Sequence, residues 1–329
     1  MKTVELLRAY LWTSRGEYLI AEVPALVTLF FLGASSFGRF LAPEVLEGMT
    51  VFVLLFFFGF MINAYTDQEI DSRYTIFKNR IPGAVRLIGQ RQFRILMAAQ
   101  VAAAFVLTAH ISYLMQSWTP LLLAAIGTFF GAGYSLPPFH FKVRGWLHMV
   151  SLSISVFFIP AAFVLFTIAG ELTFGSLVFL AGVSVLHYGI EIANQAIDYL
   201  EDNAGGVRSP PVIWGMKNSL VLGLGCIVAG GLLELSGLYT LTLGRAGAGA
   251  SLLGLPVWQF FLLTMPIVLA GYFIPVRGLW RMYRASITRP LVEATSYMKE
   301  ICNYNQWQAS GILGLMVVSG ILFFSTIYV

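Results

Sequence analysis

Nine stretches of mostly apolar residues recur along the chain, near 19–37, 48–66, 95–115, 119–136, 149–169, 173–197, 218–240, 257–275 and 309–328, and nearly every charge lies between them. A helix rises about 1.5 Å per residue, so about 20 apolar residues cross the hydrocarbon core of a bilayer. Within lipid the backbone must satisfy its own hydrogen bonds, which leaves helices or closed barrels as the spanning structures. Stretches of this length read as helices. Only 11% of the residues are charged, against roughly 25% in a soluble domain, too few to cover a water-facing surface. The fold class is therefore all-α: a polytopic membrane protein of nine transmembrane helices in a single membrane domain over residues 1–329.

The loops orient the bundle. With the N-terminus in the cytoplasm, 18 of the 20 Lys and Arg residues fall on the inner side, and only Arg39 and Arg245 fall outside. The positive-inside rule thus agrees with nine spans and puts the C-terminus outside. The net charge of +4 arises from these short inner loops and builds no basic domain, so nucleic acid is not expected as a partner. Cys226 and Cys302 form no metal-binding spacing and no disulfide framework. The first apolar stretch begins late and is long enough to span, so it reads as a retained helix rather than a cleaved signal. The expected location is the cell inner membrane.

All four aspartates of the chain sit in two matched motifs, Asn63-x3-Asp67-x3-Asp71 and Asn194-x3-Asp198-x3-Asp202. Each closes an apolar stretch running from outside to inside. The common offset of 131 residues reads as two parallel pseudo-repeats, about 19–136 and 149–275, with a ninth helix near 309–328. Spacing of four places each trio along one helical face. Two such faces across a cavity supply carboxylate and amide oxygens, hard ligands that suit Mg²⁺. Ionisable groups at this depth are costly and usually functional.

Basic residues that can bind phosphate oxygens follow the motifs: Arg73, Lys78 and Arg80 after the first, Arg208 after the second. Between them runs Tyr134-Ser-Leu-Pro-Pro-Phe-His-Phe-Lys142. Pro137 and Pro138 break the helix, and Gly205 and Gly206 permit a tight reversal. His187 and Glu191 precede Asn194 on its helical face. They form either an ionisable pair able to orient or deprotonate an acceptor or a self-satisfied buried pair. Gly59, one turn before Asn63, leaves room for a chain. Asn303, Asn305, Gln306 and Gln308 open the ninth stretch and read as interfacial residues.

These motifs resemble the UbiA superfamily of intramembrane prenyltransferases. Asn63-Ala-Tyr-Thr-Asp67-Gln-Glu-Ile-Asp71 is similar to its N-D-x-x-D-x-x-x-D element, with Ala64 in place of the first acidic residue. Asp198 through Arg208 is similar to its D-x-x-x-D-x-x-x-G-x-R run, with Pro210 and Pro211 where Thr-Leu is common. Tyr134 through Lys142 is similar to its Y-S-x-P-P element. The resemblance implies a UbiA-type helical bundle with a central cavity. It implies two Mg²⁺ ions held by Asn63, Asp67, Asp71, Asn194, Asp198 and Asp202. Diphosphate would lie on Lys78, Arg80, Lys142 and Arg208, close to Tyr134.

The activity implied is ionisation of an allylic isoprenoid diphosphate and attack by an acceptor, expected to be aromatic, with membrane lipid as surroundings; the residues expected to be catalytic are Asp67, Asp71, Asp198 and Asp202 with, from the helical face before Asn194, Glu191 and His187. Two alternatives remain at this point. A terpene cyclase of the same type would ionise the diphosphate without an acceptor. A membrane transporter would place paired acids at a repeat interface, although such sites lie nearer the midplane.

Overall fold

The computed structural model describes residues 2–72, 80–246 and 251–327. The described residues form a helical bundle, with one two-residue strand pair, β1 (Ser251–Leu252) on β2 (Leu255–Pro256), between two of its long helices. The helices are α1 (Lys2–Thr13), α2 (Leu19–Gly33), α3 (Pro43–Thr66), α4 (Gln68–Asp71), α5 (Arg80–Ile88), α6 (Gln90–Leu114) and α7 (Thr119–Ser135). There follow α8 (Trp146–Leu152) and α9 (Ile159–Ala169), joined by a π-helical stretch over Ser153–Phe158 into one continuous rod. The remainder are α10 (Phe174–Ile197), α11 (Tyr199–Gly205), α12 (Pro210–Trp214), α13 (Met216–Ala246), α14 (Val257–Thr288), α15 (Leu291–Ile301) and α16 (Tyr304–Ile327).

Seven of these, among the described residues, are long and apolar enough to cross a membrane: α3, α6, the α8–α9 rod, α10, α13, α14 and α16. Two apolar helices are shorter, Glu22–Gly33 within α2 and Thr119–Ser135, which is α7. Helix α2 is short because residues 34–36, Ala-Ser-Ser, leave the helical conformation: Ala34 is extended and Phe37–Leu41 form a separate 3₁₀ turn.

Local chemistry sets the helix ends. Proline opens α3, α7 and α9 at the first or second position, where its missing N–H costs nothing. Gly170 ends α9 with φ 85°, a left-handed cap. Thr173 then caps α10, its hydroxyl accepting from the Ser176 N–H at 3.2 Å.

The most intimate packing is α10 on α13. Gly182 and Gly189 of α10 face Gly230 and Gly223 of α13, and Gly237 of α13 faces Phe179 of α10. A Cβ on Gly182 would stand 2.3 Å from the Glu234 nitrogen, and one on Gly230 would stand 2.4 Å from the Leu186 nitrogen. Without glycine the backbones could not approach this closely, the usual way small residues join helices in lipid. Helix α10 is thereby held as the most buried of the seven long apolar helices, a rigid post carrying Glu191, Asn194 and Asp198.

Candidate active site

Both aspartate motifs end a long helix in the same way. Asp67 caps α3 with φ −99° and ψ 13°, and Asp198 caps α10 with φ −95° and ψ 7°. Each chain then enters a short helix, so neither trio lies on one unbroken helix as the spacing implied. The turns nonetheless continue, because the Asp71 N–H donates to the Asp67 carbonyl at 2.7 Å and the Asp202 N–H to the Asp198 carbonyl at 2.8 Å. The repeated backbone geometry aims both carboxylate pairs into one polar chamber, which they share with Asn63 and Asn194.

Lys142 enters the chamber from the loop after α7. It is 3% exposed, and its ammonium contacts the Asp67 carboxylate. Its carbonyl accepts the Arg208 N–H at 3.2 Å, so the loop after α7 is tied to the loop after α11 beside the site. Ser209 donates to Asp202 Oδ2 at 2.8 Å. Tyr134 hydroxyl and His148 Nε2 lie 3.0 Å apart on the chamber wall, and Asn63 Nδ2 donates to Ser135 Oγ at 3.4 Å.

Arg15 completes the charged lining. It sits at the turn between α1 and α2 with φ 51°, and its charge acts on Asp71. Burial, the largest influence, raises the Asp71 carboxyl to about 6, and Asp67 adds to this; Arg15 and Lys142 oppose it. Asp198 is likewise raised by burial and by the neighbouring Asp202.

A second, apolar chamber opens from the first. The two share Arg15, Asn63, Tyr134, Glu191, Asn194 and Asp198 at their junction. The apolar chamber lies between α3, α7 and the α8–α9 rod. Aromatic side chains, including Phe56, Phe60 and Phe157, line it. Gly59 is on its wall, and a Cβ there would meet nothing within 4 Å. Tyr304 of α16 lines it near Glu191, packed edge-on to Tyr18 at 5.9 Å.

The chamber collects Asn63, Asp67, Asp71, Tyr134, Lys142, Glu191, Asn194, Asp198 and Asp202 of the expected residues. It does not collect the rest. Arg208 is exposed, and Val207 takes the position on the wall. Arg80 is exposed and lies over the Trp12 ring at 4.7 Å. Arg73 and Lys78 lie outside the described residues. His187 is buried behind the apolar chamber, its ring 5.5 Å from that of Phe157, and Gln308 donates to its carbonyl at 3.3 Å. Ala64 is buried among Met61, Val85 and Phe93, so the position departing from the resembled motif faces packing rather than the chamber. Arg15, His148 and Ser209 escaped the sequence reading. Arg15 stood as one more inner basic residue, and His148 and Ser209 acquire partners only through the tertiary fold.

The donor set fits Mg²⁺ bridged to a diphosphate. Among the described residues, no three His, Cys, Asp or Glu side chains gather closely enough to enclose a metal ion by themselves. Mg²⁺ needs no such cage, since one or two carboxylates with water and phosphate oxygens complete its shell. Asp71 Oδ2 is buried without a hydrogen-bond partner, the state of a donor whose partner is a ligand.

Comparison with known proteins places the chain in a family and a fold. The family model of the UbiA prenyltransferase family matches residues 23–299. The fold is similar to that of a UbiA homolog from Archaeoglobus fulgidus bound to DMAPP and Mg²⁺, with TM-score 0.62 and 15% identity over 92% of this chain and 98% of that one. The same homolog bound to GPP and Mg²⁺ gives 0.59 and 15%, covering 93% and 99%. A digeranylgeranylglyceryl phosphate synthase gives 0.59 and 20%, covering 96% and 99%. A search of curated protein sequences finds no match. With its two aspartate motifs folded into one chamber and the family match spanning most of its length, the chain belongs to the UbiA prenyltransferase family.

Proposed function

We propose that this membrane protein is a Mg²⁺-dependent prenyltransferase that ionises an allylic isoprenoid diphosphate and transfers the prenyl group to an aromatic acceptor. The observation that carries this reading is the junction of the chambers: a charged vestibule opens directly on an aromatic-walled apolar space. A diphosphate in the first puts its hydrocarbon tail in the second.

The residues divide the work. Lys142 and Arg15 bring positive charge to the phosphate oxygens, and Tyr134, held by His148, lies beside them. Asp67, Asp71, Asp198 and Asp202, with Asn63 and Asn194, would hold two Mg²⁺ ions, whose charge would stabilise the leaving diphosphate. The allylic C–O bond breaks with its electron pair going to the diphosphate. The apolar chamber keeps water from the cation, and ring faces such as that of Phe157 stabilise it. An aromatic carbon of the acceptor then forms the new C–C bond and loses its proton to Glu191 at the junction. His187 acts indirectly by setting the Phe157 ring.

The full architecture proposed is nine spans, with α2 and α7 as the shorter two, built as two pseudo-repeats of about 19–136 and 149–275 plus α16. The N-terminus is cytoplasmic, the C-terminus outside, and the location the cell inner membrane.

The test is product analysis by mass spectrometry with purified protein, Mg²⁺, an allylic diphosphate and a panel of phenolic and naphthoic acceptors. A prenylated acceptor is expected. A cyclic hydrocarbon formed equally well without acceptor would replace transfer by cyclisation.

A further inference from the structure

The apolar chamber has a floor, and its depth can be read along three of its walls. On α3 it is lined from Asn63 down to Val51, twelve residues. On α7 it runs from Tyr134 to Leu123, eleven residues, and on the α8–α9 rod from Leu152 to Phe163, again eleven. At 1.5 Å per residue these are depths of about 16 to 18 Å. The three walls stop at about the same depth.

The closure has a cause. One turn below Val51, Gly48 of α3 meets Thr167 of α9, and a Cβ on Gly48 would stand 2.8 Å from the Thr167 hydroxyl. Close by, Gly33 of α2 packs on Ile168, with a Cβ approach of 2.9 Å. Arg39 ties this end together by donating to the Thr167 carbonyl at 3.1 Å and the Ile168 carbonyl at 3.1 Å while pairing with Glu44 at 2.5 Å. The helices that part to form the chamber are in contact beneath it.

An extended isoprene unit lays four carbons along its chain, about 5 Å at ordinary bond lengths. From these depths we infer that the protein selects a diphosphate with three to four isoprene units, fifteen to twenty carbons, and that Val51, Leu123 and Phe163 set the upper limit. This rests on the prenyl-diphosphate reading above and deepens it. Shorter chains leave the lower chamber unfilled and forgo apolar burial. Longer chains meet the floor.

Gly59 provides the internal control. It lies one turn below Asn63 on the chamber wall, and a Cβ there meets no protein atom within 4 Å. Helical side chains lean toward the helix N-terminus, which on α3 is the floor end, so Gly59→Phe fills the chamber below its first two units.

The experiment measures pyrophosphate release with Mg²⁺ from diphosphates of ten, fifteen, twenty and forty-five carbons, for the purified wild-type protein, Gly59→Phe and Val51→Ala. The wild type is expected to show its highest kcat/KM at fifteen or twenty carbons, at least tenfold above ten and above forty-five. Gly59→Phe is expected to reverse the order, with the twenty-carbon value falling at least tenfold relative to the ten-carbon one. Val51→Ala, which leaves the contact of Gly48 with Thr167 beneath it intact, is expected to keep the forty-five-carbon value at least tenfold below twenty. A wild-type optimum at ten or forty-five carbons, or a twenty-to-ten ratio unchanged by Gly59→Phe, would overturn the length assignment while leaving the enzyme reading in place. Release from none of the four would overturn the enzyme reading itself.

Discussion

The Lys142 ammonium contacts the Asp67 carboxylate inside the polar chamber, joining the loop after α7 to the end of α3. This pair spans 75 residues of sequence and brings a cation within reach of the proposed metal site. Lys142→Met should lower activity about a hundredfold, as removal of a charge-stabilising donor does elsewhere. It should also lower the melting temperature in EDTA, because Asp67 is left buried and uncompensated. Mg²⁺ should recover part of that loss. Thermal unfolding in detergent with and without Mg²⁺ checks both effects, and an unchanged melting temperature in EDTA would remove the pair from the account.

Asp202 depends on Ser209, which is fully buried and donates to Oδ2 at 2.8 Å. A hydrogen bond to a ligating carboxylate fixes its orientation, and its loss typically weakens metal binding by 10–100-fold. Ser209→Ala should therefore raise the Mg²⁺ concentration for half-maximal activity about tenfold, with kcat at saturating Mg²⁺ little changed. A Mg²⁺ titration measures this directly.

The Asp71 carboxyl is raised to about 6, chiefly by burial. A raised carboxyl favours the metal-free folded state while it is protonated, and that contribution is lost as pH climbs through about 6. Mg²⁺ requires the anion. The rise in melting temperature on adding Mg²⁺ should thus be small at pH 5, grow through pH 6 and level off above pH 7. A Mg²⁺ effect constant from pH 5 to 8 would contradict the role given to Asp71. Asp71→Asn should flatten the profile.

Gly230 meets Leu186 where α13 crosses α10, and the intruding Cβ would find backbone rather than a yielding side chain. Gly230→Val should destabilise by at least about 3 kcal/mol, the upper end of ordinary overpacking. Gly225 on the same helix has nothing within 4 Å of its Cβ position. Gly225→Ala should leave the melting temperature unchanged or slightly raised, since alanine favours helix by up to about 1 kcal/mol. Thermal unfolding of the two variants side by side distinguishes helix contact from a general cost of losing glycine.

The helical character of the bundle and the aspartates that meet in the polar chamber were legible because each rests on a local pattern. Apolar stretches of about 20 residues mark helices, and Asp67, Asp71, Asp198 and Asp202 announce themselves as the chain's only aspartates. The glycine seam was also present as a spacing of seven at Gly223, Gly230 and Gly237, although only contact reveals α10 as its partner. What remained hidden depends on side-chain direction. Arg80 and Arg208 are basic and near the motifs in sequence, yet Arg80 lies over Trp12 and Arg208 contributes its backbone N–H to Lys142. Arg15 enters the chamber because a left-handed turn swings it there. His187 shares a helical face with Glu191, but Phe157 of the π-helical stretch separates it from the chamber. Glu234, which accepts from the Tyr272 hydroxyl between α13 and α14, gave no motif to read.

The central claim is that Asp67 and Asp198, ending matched helices, act together on a single diphosphate through Mg²⁺. Pyrophosphate release from geranyl, farnesyl and geranylgeranyl diphosphate by purified protein tests it most directly, with Mg²⁺ or EDTA, beside Asp67→Ala and Asp198→Ala. The account predicts release that requires Mg²⁺ and falls at least a hundredfold in either variant, in protein that remains folded by its melting curve. Release that persists in EDTA, or that survives the loss of either aspartate, would contradict it.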